Sequence, residues 1–238
     1  MIFRAIKKTF LILLIIILLV LGFLFSISRL YEKEINIIAL EQLNKQLVQP
    51  IVVDKIELNA FSHFPSISLE FSNLKIKDAL SPNDTLIFAQ KAYLNFDIYD
   101  LLNKKYIVRK LILSNRVSKI LIDNKGLENY MILKKNDDEK KSNFEFLLDQ
   151  VTIENFFINY QNKLLKQDYD FFIKKTKFKG AFSDQDYDLN IIAALNINYF
   201  KLENINYIKS KSSELEMNLH VDNNPFSLTI KNGKLKLG

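Results

Sequence analysis

Beyond Gln49-Pro50, apolar residues recur at every second position, and no other feature constrains the fold as much. Ile67, Leu69 and Phe71 alternate with Ser66, Ser68, Glu70 and Ser72. Leu94, Phe96 and Ile98 alternate with Tyr93, Asn95, Asp97 and Tyr99, and Phe156, Ile158 and Tyr160 do the same among Asn155, Phe157 and Asn159. Longer runs follow: Leu189, Ile191, Ala193, Leu195 and Ile197, then Leu215, Met217, Leu219 and Val221. Side chains of a strand point to opposite faces in turn, so this pattern predicts an antiparallel sheet with one apolar and one wet side. About 13 strands at ~4.8 Å spacing give an elongated, curved sheet ~60 Å long.

The punctuation is polar, with only 5 Gly in the whole chain. Turns are predicted at Ser81-Pro82-Asn83-Asp84, Asp123-Asn124-Lys125-Gly126 and Asp222-Asn223-Asn224-Pro225. Asn232-Gly233 is the strongest hairpin signal and predicts a short return strand, Lys234 to Gly238, with an uncovered edge open to a protein partner. Residues 134–143 hold no apolar side chain and read as a solvated linker.

The N-terminus obeys a different rule. Thr9 to Ser28 are twenty consecutive uncharged residues, and twenty helical residues rise ~30 Å, the thickness of a bilayer's hydrocarbon core. The run is longer than a signal-peptide core and lacks a good cleavage site, so an uncleaved anchor is predicted. Arg4, Lys7 and Lys8 before it place the N-terminus in the cytoplasm and the body outside. Leu30 to Val48 then reads as a loosely amphipathic helix, with Leu30, Ile37, Leu40, Leu43 and Leu47 on one side, ended by Gln49-Pro50.

The domain reading is therefore 1–29 as cytoplasmic N-terminus and anchor, and 30–133 as helix plus first sheet segment. Residues 134–143 are the linker, and 144–238 a second, incomplete sheet segment. The fold class is mostly β.

Charge and composition argue against several functions. Removing the three N-terminal cations leaves 30 cations against 27 anions, alternating in sign, with no basic stripe for nucleic acid. The chain has no Cys and 2 His, His63 and His220, far apart in sequence, so neither thiol chemistry nor a His-rich metal site is predicted. His63 reads as a turn residue, and Asp184, Asp186 and Asp188 as a solvated turn. Asp123-Asn124-Lys125-Gly126 lacks the oxygen donors of a calcium loop. No catalytic constellation and no cofactor motif is present, and the chain is not expected to be an enzyme.

The order of segments resembles a known family. Leu40-Glu41-Gln42-Leu43-Asn44-Lys45-Gln46-Leu47 follows the membrane run, and Val52-Val53-Asp54-Lys55-Ile56-Glu57-Leu58 comes next. Phe64-Pro65 precedes a strand, Leu74-Lys75-Ile76-Lys77-Asp78 closes it, and Asp123, Gly126 and Asn129 form a D-x-x-G-x-x-N turn. Leu147 to Asn155 resembles the opening of a further strand set. Together these are similar to the N-terminal region of the AsmA family of bacterial envelope proteins, whose members are usually longer. The resemblance implies a bent sheet with an apolar concave side, as in the chorein-type bridge-like lipid transfer proteins, that carries phospholipid between membranes. It also implies an inner-membrane anchor, a periplasmic body and a role in outer-membrane biogenesis. On that reading the groove is lined by Ile67, Leu69, Phe71, Leu94, Phe96, Ile98, Phe156, Ile158, Tyr160, Leu189, Ile191, Leu215, Met217 and Leu219. A membrane-tethered scaffold that binds another envelope protein is the other expectation.

Overall fold

The structure is a computed structural model that describes residues 35–59, 66–134, 144–182, 186–223 and 226–238, with a few isolated residues before 35. The 9–28 run lies mostly outside the described residues; Ile15, Leu18, Leu19, Gly22, Phe23 and Ser26 are helical and exposed. Among the described residues no helix is long and apolar enough to cross a membrane. His63, Phe64-Pro65, Asp184, Asn224-Pro225 and most of the 134–143 linker also lie outside them.

Helix α1 covers residues 35–46. The strands are β1 (Lys55–Asn59), β2 (Ile67–Lys77), β3 (Thr85–Phe96), β4 (Tyr106–Ile122), β5 (Phe144–Asn162), β6 (Gln167–Lys179), β7 (Asp186–Leu202), β8 (Ile205–Asn223) and β9 (Phe226–Leu237). Helix α2 (Ile98–Leu102) joins β3 to β4. All nine strands form one open, curved sheet in sequence order. Four strands run 17 to 19 residues, so length is gained along the strands and fewer of them are needed than the period-two count suggested.

Two further expectations are corrected. The sheet is mixed, because β4 and β5 run parallel, and residues 123–143 form the connection between them. Its first part is fastened by Leu47 bridging to Leu133 and by Val48 N donating to the Ile132 carbonyl. Asn232-Gly233 makes no turn. Neither residue has the positive φ that a two-residue hairpin requires. Asn232 Oδ1 instead accepts an amide bond from Asn218 at 2.7 Å inside β9, which continues past a one-residue register shift at Lys231, and Asn218 Oδ1 accepts one from Asn190 at 2.8 Å.

The core sits where α1 covers β1–β4. Ile35 and Ala39 of the helix are buried with Ile67, Leu69, Phe71, Leu94, Phe96, Leu101 and Val108. Ile37 points outward, so the helix's inner face is narrower than its sequence suggested. Asn44 Oδ1 accepts from Ile51 N at 2.8 Å where the chain leaves the helix. Asp97 caps α2 by accepting from Tyr99 N at 2.8 Å. Ile98 therefore lies in a helical turn packed on the core and is not a strand residue.

A crease crosses the sheet. Asn73, Asn115 and Asn155 have φ of 54°, 56° and 50°. The pairings on either side place Asn73 opposite Gln90, Gln90 opposite Asn115 and Asn115 beside Asn155. The same row continues to Lys174, the residue skipped where the β6–β7 register shifts. A single left-handed residue reverses which parity faces inward. The apolar side uses 67, 69 and 71 before Asn73 but 74 and 76 after it, and 151 and 153 before Asn155 but 156, 158 and 160 after it. Asn tolerates this conformation better than other non-glycine residues. Asn155→Val should therefore cost about 1–3 kcal/mol, and Asn155→Gly much less, in a urea denaturation series.

Candidate functional site: the apolar face of the sheet

Cross-strand partners share a face, so the pairings trace each face residue by residue. One row runs Leu58–Leu69–Leu94–Leu111–Val151–Phe178–Ile191–Met217–Gly233 across all nine strands. It has no charged member. The row on the other side, Glu70–Tyr93–Ile112–Thr152–Lys177–Ile192–Glu216–Lys234, is dominated by polar side chains. Lys91–Glu70 and Lys175–Glu154 ion pairs lie on that polar side.

The residues expected to line a groove divide into three groups. Ile67, Leu69, Phe71, Leu94 and Phe96 lie on the apolar face but are sealed in the core beneath α1, each at most 4% exposed. They are not an open surface, because the helix already covers them. Ile98 has left the sheet. The other eight share the apolar face through registers Phe156↔Ile173, Ile158↔Phe171, Tyr160↔Tyr169, Leu189↔Leu219, Ile191↔Met217 and Ala193↔Leu215. No described helical residue belongs to the cluster formed there by Ala89, Phe156 and Ile173.

On this half, which no described helix covers, a row of residues beside the crease is buried, and so are Ile197, Leu219 and Val221 farther along the same face. Phe156, Ile173, Thr176, Ala193 and Ser213 are all buried. Among the described residues no helix lies over them, and in a curved sheet such burial fits a bend toward the apolar side, with these residues as the floor of a gutter. Thr176 and Ser213 hydroxyls on that floor have no hydrogen-bond partner. The walls rise to β9, whose Leu228, Ile230, Leu235 and Leu237 are exposed. At one end Tyr160, Tyr169 and Phe200 stack at 5.3 and 4.0 Å. Burial, then the neighbouring Tyr160, push the Tyr169 hydroxyl above its ordinary pKa, so it stays neutral.

Sequence reading missed a polar clasp on the opposite face. His220 lies 3.0 Å from Asp188 and 3.3 Å from Asp186, and Lys231 Nζ lies 2.6 Å from Asp188. Hydrogen bonds from Lys231 and then His220 hold the Asp188 carboxyl below its ordinary pKa. Asp186 and Asp188 are thus part of a fastening across β7, β8 and β9 and not a free turn. Among the described residues no three His, Asp or Glu side chains gather as metal ligands would. The shallow depression of about 690 Å³ beside the crease is lined by Gln90, Asn115, Arg116, Val117, Asn155 and Phe157 and holds no acid–base pair. No protein-family model, curated protein or solved structure matches this chain.

Proposed function

We propose that this chain is an AsmA-like envelope protein that holds phospholipid acyl chains in the gutter of β5–β9 and passes them along it. In this reading residues 9–28 anchor it in the inner membrane, with the N-terminus cytoplasmic and the body periplasmic. The observation that carries the reading is the uncharged face beyond α1, which no described helix covers. Burying acyl chains is favourable by about 0.8 kcal/mol per CH₂, so such a surface competes with a bilayer without selecting one lipid. The unpartnered Thr176 and Ser213 hydroxyls suit the ester oxygens of a lipid lying on the floor. The five strands β5–β9 at ~4.8 Å spacing give an open path of ~20 Å, shorter than the sequence count implied. No covalent step is involved.

Mass spectrometry of lipids co-purifying with the full chain in mild detergent tests this. A photo-crosslinking residue at Ile158 or Ile191 should trap lipid, whereas one at Asn159 or Asn190, on the other face, should not. Equal trapping from both faces would defeat the proposal. A scaffold that recruits another envelope protein by strand addition is the second reading, favoured by the open outer edge of β9 with its exposed leucines. Protein without lipid, and crosslinks from Ile230 to a second polypeptide, would select it.

A further inference from the structure

The turns at one end of the sheet carry apolar side chains where polar ones are usual. Asn162-Lys163-Leu164-Leu165-Lys166 joins β5 to β6, and both leucines are 57% exposed. Leu127, in the turn after β4, and Ile205, just after the β7–β8 turn, are exposed to a similar degree. The turns are laced together by their backbones. Lys163 N donates to the Ile122 carbonyl at 2.9 Å, and Glu203 N to the Lys166 carbonyl at 2.7 Å. Asn162 Oδ1 accepts from Leu165 N at 2.9 Å, fixing the turn that presents the leucine pair. The leucines are therefore held out by a rigid support and have not merely escaped the core.

Cations surround them. Lys163, Lys166 and Lys201 line a depression of about 170 Å³ at this tip, and Lys125 flanks Leu127. Among the described residues none of these four lysines forms an ion pair. The neighbouring anions are partly engaged: Asp123 accepts from Lys125 N and Leu127 N, and Asp168 from the Tyr199 hydroxyl. Glu203 also lines the depression and offsets part of the charge.

We infer that this tip docks on an anionic phospholipid surface, with Leu164 and Leu165 entering the acyl layer and Lys163, Lys166 and Lys201 meeting the phosphates. An apolar pair flanked by unpaired lysines has the chemistry of an interface, where stems lie in the apolar layer and ammonium groups stay in water. The tip does not depend on whether the gutter carries lipid, so the two can fail separately.

The chain has no Trp, so Leu164→Trp installs a unique fluorophore. The full chain is placed in nanodiscs of ordinary lipid and mixed with vesicles of phosphatidylglycerol and phosphatidylcholine whose acyl chains are brominated. Full chain that stays in solution without nanodiscs is mixed with the same vesicles directly. The expected result is a blue shift and at least about twofold quenching for Leu164→Trp. Lys179→Trp, an exposed control at the other end of β6, stays unquenched. Adding Lys163→Gln and Lys166→Gln should weaken the vesicle dependence about thirtyfold, and raised salt should weaken it too; removing two phosphate-facing cations at ~1 kcal/mol each accounts for that size. Unchanged emission at saturating vesicles, equal quenching of the control, or equal binding to pure phosphatidylcholine would each overturn the inference. Quenching read beside a lipid-free extract would keep the tip and remove the cargo.

Discussion

Phe71→Ala should destabilise the purified full chain by about 3–5 kcal/mol, while Ile230→Ala should cost under about 0.5 kcal/mol, in urea denaturation followed by far-ultraviolet circular dichroism. Both residues lie on the same apolar face of one sheet, so hydrophobicity alone gives no reason for the difference. Phe71 is 1% exposed beneath α1, with Leu69 and Leu94 beside it, and truncation there leaves a cavity that the helix and sheet cannot fill. Ile230 is 65% exposed on the last strand, and truncation leaves only water where water already was. The comparison measures where the covered part of the face stops. If Phe71→Ala cost no more than Ile230→Ala, α1 would not be seated on β1–β4 in solution, and the whole face would be open to ligand.

That division of one face into a closed and an open half was not legible in the alternation. Period two tells which residues share a side of a strand, and the pairings do gather Ile67, Phe156, Leu189 and Met217 on one side. It does not tell what lies above them. The signal for the lid was nearby, in the amphipathic stretch ending at Gln49-Pro50, where Leu40, Leu43 and Leu47 were read on the inner side and do pack on the core, but Ile37 points outward and the buried Ile35 and Ala39 were not read. A small residue such as Ala39 adds little to an apolar pattern and yet lets a helix lie close on a sheet.

The crease was legible in principle. Phe71-Ser72-Asn73-Leu74, Leu113-Ser114-Asn115-Arg116 and Ile153-Glu154-Asn155-Phe156 each put an Asn two places after an apolar residue. In the first and third, the apolar spacing lengthens there from two to three. A stutter that repeats with the same residue type marks a bend that several strands share. Asn232-Gly233 shows the opposite failure. Local turn propensity was strong there, but the cross-strand amide bond from Asn218 and the pairing of Gly233 with Met217 hold the strand on β8 through a one-residue register shift at Lys231. The parallel β4–β5 pair could not be read from periodicity, which is the same in parallel and antiparallel strands.

Asn129 carries the second large effect. It closes the Asp123-x-x-Gly126-x-x-Asn129 turn, in which Gly126 takes φ +81° and Asp123 Oδ1 accepts from Lys125 N and Leu127 N. At 1% exposure its side chain accepts from Leu121 N at 2.8 Å and donates to the Lys119 carbonyl at 2.9 Å and the Asp78 carboxylate at 2.8 Å. Asp78 is itself buried and holds the β2–β3 turn by accepting from Leu80 N and Ser81 N. One amide therefore ties the end of β4 to a turn 51 residues earlier. Asn129→Ala should cost about 2–4 kcal/mol, because a buried N–H, a carbonyl and a carboxylate lose a partner together. Asn129→Asp sharpens the test. It keeps the acceptor for Leu121 N but sets a second carboxylate against Asp78, so that the buried pair binds a proton more readily folded than unfolded. Stability linked to a raised folded-state pKa is present at low pH and lost as pH rises. The deficit of Asn129→Asp against the parent chain should therefore shrink as pH falls from 7 toward 5, while that of Asn129→Ala should show no such recovery. Parallel pH profiles for the two variants would mean that Asn129 does not donate to Asp78 in the folded protein.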